Sequence, residues 1–160
     1  MNTPSKRRGV AALAVGVLVT VPAAIALQTS ATGTTAAPQT ITFKQRAGTF
    51  RYVDLPPRGT SAPSPGDMFL ITNKLYKAGE RIGTLQARCV VMRRGNAPWL
   101  CDGAYRLKNG IISGTAVIFE DNTRNRIAVT GGTGAYAGAT GVSVETFVND
   151  NLATVKIRLQ

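Results

Sequence analysis

The sequence contains no histidine and only two cysteines. The absence of histidine excludes Ser-His-Asp and Cys-His catalysis, histidine metal sites and any acid–base role for an imidazole. Two cysteines cannot form a zinc site by themselves. Apolar residues at helical spacing are also missing, so a helical domain is not expected. Whatever this protein does, it does without the usual groups of hydrolases and metalloenzymes.

Acidic residues are few. Lys and Arg number 19 against 8 Asp and Glu, which gives a net charge of +11. Such a balance suits nucleic acid, anionic lipid, an acidic wall polymer or simply a solvated basic surface. The basic residues are spread along the chain, with one adjacent pair at Arg93 and Arg94 after the N-terminal segment, and no groove-binding helix is indicated. Nucleic acid is therefore not expected as a partner.

The N-terminal segment has the layout of a secretory signal peptide. Lys6, Arg7 and Arg8 precede an apolar run over residues 10–23, and residues 24–26 offer a small-x-small cleavage site. A retained membrane anchor is the alternative. We expect residues 1–26 to be removed, residues 27–39 to be a flexible linker and residues 40–160 to form one domain. Losing the three basic residues from the +11 chain leaves +8 on a secreted, extracellular protein without a stable membrane anchor.

Alternation of apolar and polar residues predicts about eight strands. Turn residues separate the segments, and Asn109-Gly110 is a strong two-residue hairpin signal. Many short, closely spaced strands with hairpin turns are typical of an antiparallel barrel or sandwich. The segments are 41–54, 67–76, 81–94, 99–107, 111–119, 127–130, 142–149 and 152–159.

A glycine-rich stretch follows the short segment 127–130. Glycine tolerates a positive φ, so Gly131, Gly132 and Gly134 are predicted to turn the chain between two strands. A phosphate-binding loop would need a Lys-Ser/Thr pair and a following helix, and neither is present. These glycines are therefore interpreted as structural.

The spacing of the two cysteines predicts a disulfide. Gly95 lies midway between Cys89 and Cys101, in a predicted turn, so a hairpin folded there sets the cysteines directly opposite each other. Export would permit the bond to form. The alternative is that Cys89 remains a free thiol in the interior.

Several blocks resemble the allene oxide cyclases of plants. Gly66-Asp67 followed at fixed spacing by residues 73–76, NKLY, is similar to a block of that family, and so are residues 81–84 with Cys89-Val90. The stretch 128–134 resembles the glycine corner that these cyclases share with dirigent proteins. The resemblance covers about residues 54–144, most of the predicted domain.

The resemblance implies a fold and a function. The fold is an eight-stranded antiparallel β-barrel, all-β, often trimeric in the plant members, with a cavity open at one end. The cyclases close a ring in an unstable fatty-acid epoxide without a cofactor, and dirigent proteins fix the stereochemistry of phenolic intermediates. Both act mainly by positioning, which needs neither histidine nor metal. We expect a small lipophilic ligand, no cofactor and no metal.

The resemblance also proposes site residues. Asn73 matches an asparagine that helps to hold an oxyanion or water in the cyclases, and Asp54 resembles the pocket aspartate of dirigent proteins. The cyclase glutamate on the first strand is missing, and the dirigent arginine is Thr140 here. Neither catalytic set is complete, so allene oxide cyclase activity itself is not expected. Asp54 could instead cap a turn, and Asn73 could satisfy backbone groups.

Tyr52, Tyr105 and Trp99 are candidates for binding the ligand. The alternative for Tyr105 and Trp99 is that their aromatic rings pack in the core of the barrel. Two functions stay open at this point. One is a secreted cyclase or stereodirecting protein, and the other is a non-catalytic barrel that binds a ligand or partner outside the cell. A lipocalin-like carrier is a third, which the glycine corner and the NKLY block disfavour.

Overall fold

The computed structural model describes residues 38–55, 63–93, 98–119 and 121–160, and in these ranges the chain forms eight strands and no helix. Each strand pairs antiparallel with the next, and β8 pairs with β1, so the sheet closes into a barrel. The predicted eight-stranded antiparallel barrel is confirmed. The strands are β1 (Gln39–Val53), β2 (Met68–Lys77), β3 (Glu80–Val91), β4 (Trp99–Leu107), β5 (Gly110–Ile118), β6 (Arg124–Gly134), β7 (Gly141–Asn149) and β8 (Leu152–Leu159).

The prediction that the glycines turn the chain is wrong for two of the three. Gly131 and Gly132 lie within β6 and pair with β5, and the chain turns only after Gly134, which ends the strand with φ of 62°. The reason is steric. A Cβ on Gly132 would collide with the carbonyl oxygen of Tyr136, so the missing side chain lets the following turn fold back over a strand that stays hydrogen-bonded.

One end of the barrel is filled by a packed core. The inward face of β8 consists of Ala153, Val155, Ile157 and Leu159, all buried, while the alternating Lys156 and Arg158 are exposed. This strict period of two follows from the pleat of the strand. Val155, Ile157 and Leu159 belong to a core cluster that also includes Phe43, Leu75, Tyr105, Ile112, Val129 and Ala139.

At the opposite end, Asp67 holds together the loop that connects β1 and β2. Its side chain is fully buried, and its carboxylate accepts hydrogen bonds from the Leu55 and Ser64 N–H groups at 2.9 and 2.6 Å and from the Tyr52 hydroxyl at 2.6 Å. These bonds outweigh the penalty of burial and hold the pKa of Asp67 well below its usual range. Asp67 thus fixes the loop through hydrogen bonds to its backbone.

The Cys89–Cys101 disulfide is present, as the spacing predicted. The two residues are directly paired in the β3–β4 ladder, with Cα atoms 4.0 Å apart. Both are buried and pack with Phe69 and Val91 in a second core cluster near the Asp67 end. The bond therefore joins neighbouring strands inside the barrel wall, and Cys89 is not a free thiol.

The predicted signal peptide and most of the predicted linker lie outside the described residues. Strand β1 begins at Gln39, so the last residue assigned to the linker belongs to the barrel. Within the described ranges, no helix is long and apolar enough to cross a membrane.

Removal of the disulfide is expected to destabilise the barrel. The bond closes a loop with a sequence separation of 12 residues, and a loop of that size corresponds to about 3 kcal/mol in the chain-entropy model. Urea denaturation of the Cys89→Ala/Cys101→Ala variant should show this loss in the free energy of unfolding. As a control without a mutation, the wild-type protein is unfolded in urea with its disulfide intact and after reduction. Identical unfolding transitions in the two states would contradict the prediction.

Asp67 should make stability depend on pH. Because its pKa in the folded state lies below the unfolded value of about 3.9, it stabilises the fold above that pH and loses this contribution on acidification. Asp67→Asn should lower the melting temperature near pH 7, and the difference from wild type should narrow as the pH falls below about 4.

Asp102→Asn is the control for this effect. Asp102 is exposed and faces Arg88 at 3.9 Å, so its loss should change the melting temperature little at any pH. A constant difference between Asp67→Asn and wild type across the acid range would show that the carboxylate charge is not what stabilises the loop.

Candidate functional site

A cavity of about 200 Å³ lies inside the barrel, and strands β1 to β7 all contribute to its wall. Most of the lining is apolar, and Phe147 both lines the cavity and is 40% exposed, so the cavity reaches the surface near the end of β7. The large apolar side chains are Ile71, Leu85, Trp99, Ile118, Ile127 and Phe147; the polar ones are Gln45, Asn73, Tyr105, Asn125 and Glu145. Asp102 also borders the cavity, although its side chain is exposed and faces Arg88.

Small residues on adjacent strands create this space. Ala87 on β3 pairs with Gly103 on β4, which pairs in turn with Gly114 on β5, so one level of the wall carries almost no side chain. Ala116 continues the small surface at the next inward position of β5. A Cβ on Gly114 would lie only 2.8 Å from Ile127 Cγ2. The sequence thus leaves an opening where an eight-stranded barrel would otherwise fill with side chains.

Three polar side chains form a buried cluster in the cavity wall. Glu145 on β7 pairs directly with Asn125 on β6, and both point inward. Gln45 reaches Glu145 from β1, and the strand between them, β8, presents only the small Ala153 opposite Gln45. The exposed fractions of Gln45, Asn125 and Glu145 are 4%, 4% and 8%.

The amide groups of this cluster point their N–H groups at the carboxyl group. Gln45 Nε2 donates to Glu145 Oε1, and Asn125 also donates to Glu145. Burial raises the pKa of Glu145, and the two amide donors counteract this only in part. The amide oxygens, Gln45 Oε1 and Asn125 Oδ1, are buried without a hydrogen-bond partner.

Tyr105 lies deeper, where the cavity meets the packed core. Its hydroxyl is 3.3 Å from Ser143 Oγ, and its ring contacts Phe43 edge-on. Burial raises the pKa of Tyr105 far above its usual range, and the nearby Glu145 adds to the effect. The phenol therefore stays neutral and acts as a hydrogen-bonding group.

Of the residues proposed from the sequence, Asn73, Trp99 and Tyr105 line the cavity, together with both disulfide cysteines. Asn73 Oδ1 accepts a hydrogen bond from the Gly48 N–H at 3.2 Å, next to a bulge where the β1–β2 register shifts. The side chain thus serves the backbone and contributes to the wall at the same time.

Asp54, proposed from the resemblance to dirigent proteins, and Tyr52, a candidate for binding the ligand, do not belong to the described lining of the cavity, whereas Asn73 does. Strand β1 ends at Val53, so the alternation that would direct Asp54 inward stops before it. Tyr52 contacts Phe69, and Phe69 contacts the cavity-lining Trp99. Tyr52 uses its hydroxyl to bind Asp67 instead.

Sequence reasoning missed the cluster of Gln45, Asn125 and Glu145, because a bulge changes the hairpin register. The turn at residues 150–151 by itself would set Glu145 opposite the exposed Lys156, but the register shift between Phe147 and Asn149 pairs it with Val155 on the buried face of β8. Glu145 therefore points inward as well, and Asn125 follows as its partner on β6.

The described part of the chain contains no group of three or more His, Cys, Asp or Glu side chains that could hold a metal ion. The polar cluster offers a single carboxyl group and two amides. Its chemistry is hydrogen bonding to a ligand and, through Glu145, exchange of one proton.

No protein-family model and no curated protein sequence matches this chain. Solved structures do match. A pyocyanin demethylase is 22% identical, with a TM-score of 0.68, and the alignment covers 76% of this chain and 100% of that one. The pterocarpan synthase dirigent protein PsPTS1 is 16% identical, with a TM-score of 0.61 and coverage of 78% and 94%.

A third similar structure is the Diels Alderase AbmU from Streptomyces koyangensis, 14% identical, with a TM-score of 0.54 and coverage of 78% and 70%. At these identities the likeness concerns the fold. It agrees with the resemblance drawn from the glycine corner and the NKLY block. This chain shares its closed barrel fold with these three solved structures, one of which is a dirigent protein.

Proposed function

We propose that this barrel binds a small lipophilic ligand in its cavity and directs the cyclisation or stereochemistry of that ligand by holding it in one conformation. The observation that carries the proposal is the cavity itself, largely apolar and bordered by a few polar groups. This combination is typical of small-molecule sites, in which apolar walls supply affinity and a few polar groups fix orientation.

The size of the cavity limits the ligand. Its volume of about 200 Å³ is below the roughly 300–1,000 Å³ common for drug-sized ligands. The ligand is therefore small, or only one part of it enters the barrel while the rest extends past Phe147. A tight enclosure suits catalysis by positioning, because the walls select one folded conformation and exclude water from it.

The chain offers positioning groups in place of a nucleophile. Trp99 and Leu85 present apolar surfaces to the cavity. The phenol of Tyr105 stays neutral, so it acts neither as a strong base nor as a strong acid. Two of the similar structures are named as a pterocarpan synthase dirigent protein and a Diels Alderase, and ring formation by positioning fits both names. The proposal needs no cofactor.

We further propose that the barrel acts outside the cell. The N-terminal residues 1–26 have the pattern of a signal peptide, residues 27–39 that of a linker, and the Cys89–Cys101 bond suits an oxidising compartment. The trimer implied by the resemblance stays a prediction, and the absence of a nucleic-acid partner does as well.

One observation favours the alternative of a non-catalytic extracellular binding protein. Asp54, the carboxylate expected from the resemblance to dirigent proteins, is not in the described cavity lining. Under this alternative the ligand would leave the barrel unchanged. Incubation of the purified protein with a lipophilic extract, followed by mass spectrometry of what stays bound, separates a retained compound from a converted one.

Filling the cavity should weaken binding of the ligand. Ala116→Leu adds a side chain to the small surface of β5 that lines the cavity, and we expect at least a tenfold loss of affinity, about 1.4 kcal/mol. The bound compound from the extract serves as the ligand, and calorimetry measures its affinity. The matched control is Ala128→Leu, since Ala128 is exposed on β6 outside the lining.

Thermal melting should show both variants folded, because the cavity offers room for the side chain added in Ala116→Leu and the side chain added in Ala128→Leu lies on the exposed face. Equal affinity of Ala116→Leu and Ala128→Leu would place the ligand elsewhere on the protein and overturn the proposal.

A further inference from the structure

We infer that Gln45, Asn125 and Glu145 form an anchor for the polar end of the ligand, and that this end carries O–H or N–H donors, as in a phenol or a protonated amine, and not a carboxylate. This inference rests on the proposed function, because it concerns the same cavity. It names the chemical class that the cavity accepts and the three residues that select it.

The first support is the direction of the hydrogen bonds within the cluster. Each amide of Gln45 and Asn125 donates one hydrogen bond to the carboxyl group of Glu145. An amide has one carbonyl oxygen and one NH₂ group, so a side chain that turns its NH₂ group to Glu145 points its oxygen away from it. Both residues line the cavity, and neither oxygen has a partner within the cluster.

The second support is that these oxygens have no partner. Gln45 Oε1 and Asn125 Oδ1 are buried without a hydrogen bond, on side chains that are each 4% exposed. Buried polar atoms in folded proteins are nearly always hydrogen-bonded, because an unmade bond leaves the cost of desolvation uncompensated. Two such acceptors in one cluster indicate a site built to receive donors from a molecule that enters the barrel.

The third support is the sign of the charge. The cluster contains one carboxyl group and two acceptor oxygens, and no Lys or Arg lines the cavity among the described residues. The exposed Lys156 and Arg158 are on the outward face of β8, where they do not contribute to the lining. The basic outer surface would attract anions, yet the cluster places a carboxyl group and two amide oxygens without partners at the cavity wall, so a carboxylate ligand is disfavoured at this anchor.

The three residues of the anchor come from three different strands, and the barrel geometry brings them together. Glu145 and Asn125 come from neighbouring strands, but Gln45 must reach across β8. Ala153 is small and buried at the position opposite Gln45, so it leaves the path open. A larger side chain at residue 153 would separate Gln45 from Glu145 and remove one acceptor from the anchor.

Four small aromatic probes test the inference on the exported chain. Phenol and benzylamine carry donors, anisole offers only an acceptor, and benzoate carries a carboxylate. Ligand-detected nuclear magnetic resonance measures each affinity. We expect phenol and benzylamine to bind at least tenfold more tightly than anisole and benzoate.

Two variants assign the preference to the cluster. Gln45→Met and Asn125→Leu keep similar volume and each remove one acceptor, and we expect the tenfold preference to fall to less than threefold. The matched control is Gln86→Met, because Gln86 is exposed on the outer face of β3 and should leave the preference unchanged. Gln45 and Asn125 lie on different strands, so if one variant fails to fold, the other still tests the cluster. The comparison of the four probes on the wild-type protein does not depend on either variant.

The outcomes separate the two proposals. Equal binding of all four probes would keep the cavity as a ligand site and overturn the donor-selective anchor; an internal water that satisfies both oxygens would give this result. Tighter binding of benzoate would also overturn the anchor. Failure of every probe to bind would overturn the cavity as a ligand site, and the anchor with it.

Discussion

The pairing of β1 with β8 is the contact on which the rest of the structure depends. It closes the sheet, so that no edge strand remains and each strand has a defined inner face. Closure also brings Gln45 to a position from which it crosses Ala153 to Glu145. In an open sheet these residues would lie on opposite margins, and the polar cluster could not form.

Within the closed barrel, the distribution of side-chain size determines where the interior is filled and where it is empty. Residues such as Phe43 and Ile157 fill one end. At the next levels Ala87, Gly103 and Gly114 stand side by side, and the cavity opens beside them. A cavity maintained in this way forgoes packing energy, since a void deprives its lining of contacts. The proposed ligand would restore those contacts.

Much of the fold could be predicted from the sequence, because a period of two is a local signal. Strands β4 and β8 were predicted with their observed bounds, and the disulfide followed from the turn midway between the cysteines. The glycine stretch misled because glycine serves both turns and close approach of backbones. The close backbone oxygens of Tyr136 and Ile111 show that Gly132 belongs to the second case.

The site was harder to predict, because the pattern of apolar residues does not show for every strand which face points into the barrel. On β7 the apolar Val142 and Val144 point outward, opposite Arg158 and Lys156, while Glu145 points inward. The assignment depends on register with β8, a non-local property. Asp54 was proposed from a resemblance alone, and it lies just beyond the end of β1 at Val53 and outside the described cavity lining.

A crystal structure of the exported chain with phenol would test the central claim most directly. The account predicts phenol inside the barrel, with its hydroxyl oxygen about 2.5–3.0 Å from Gln45 Oε1 or Asn125 Oδ1. The account would be contradicted by side chains that fill the cavity, or by phenol bound elsewhere while the two amide oxygens remain paired with ordered water.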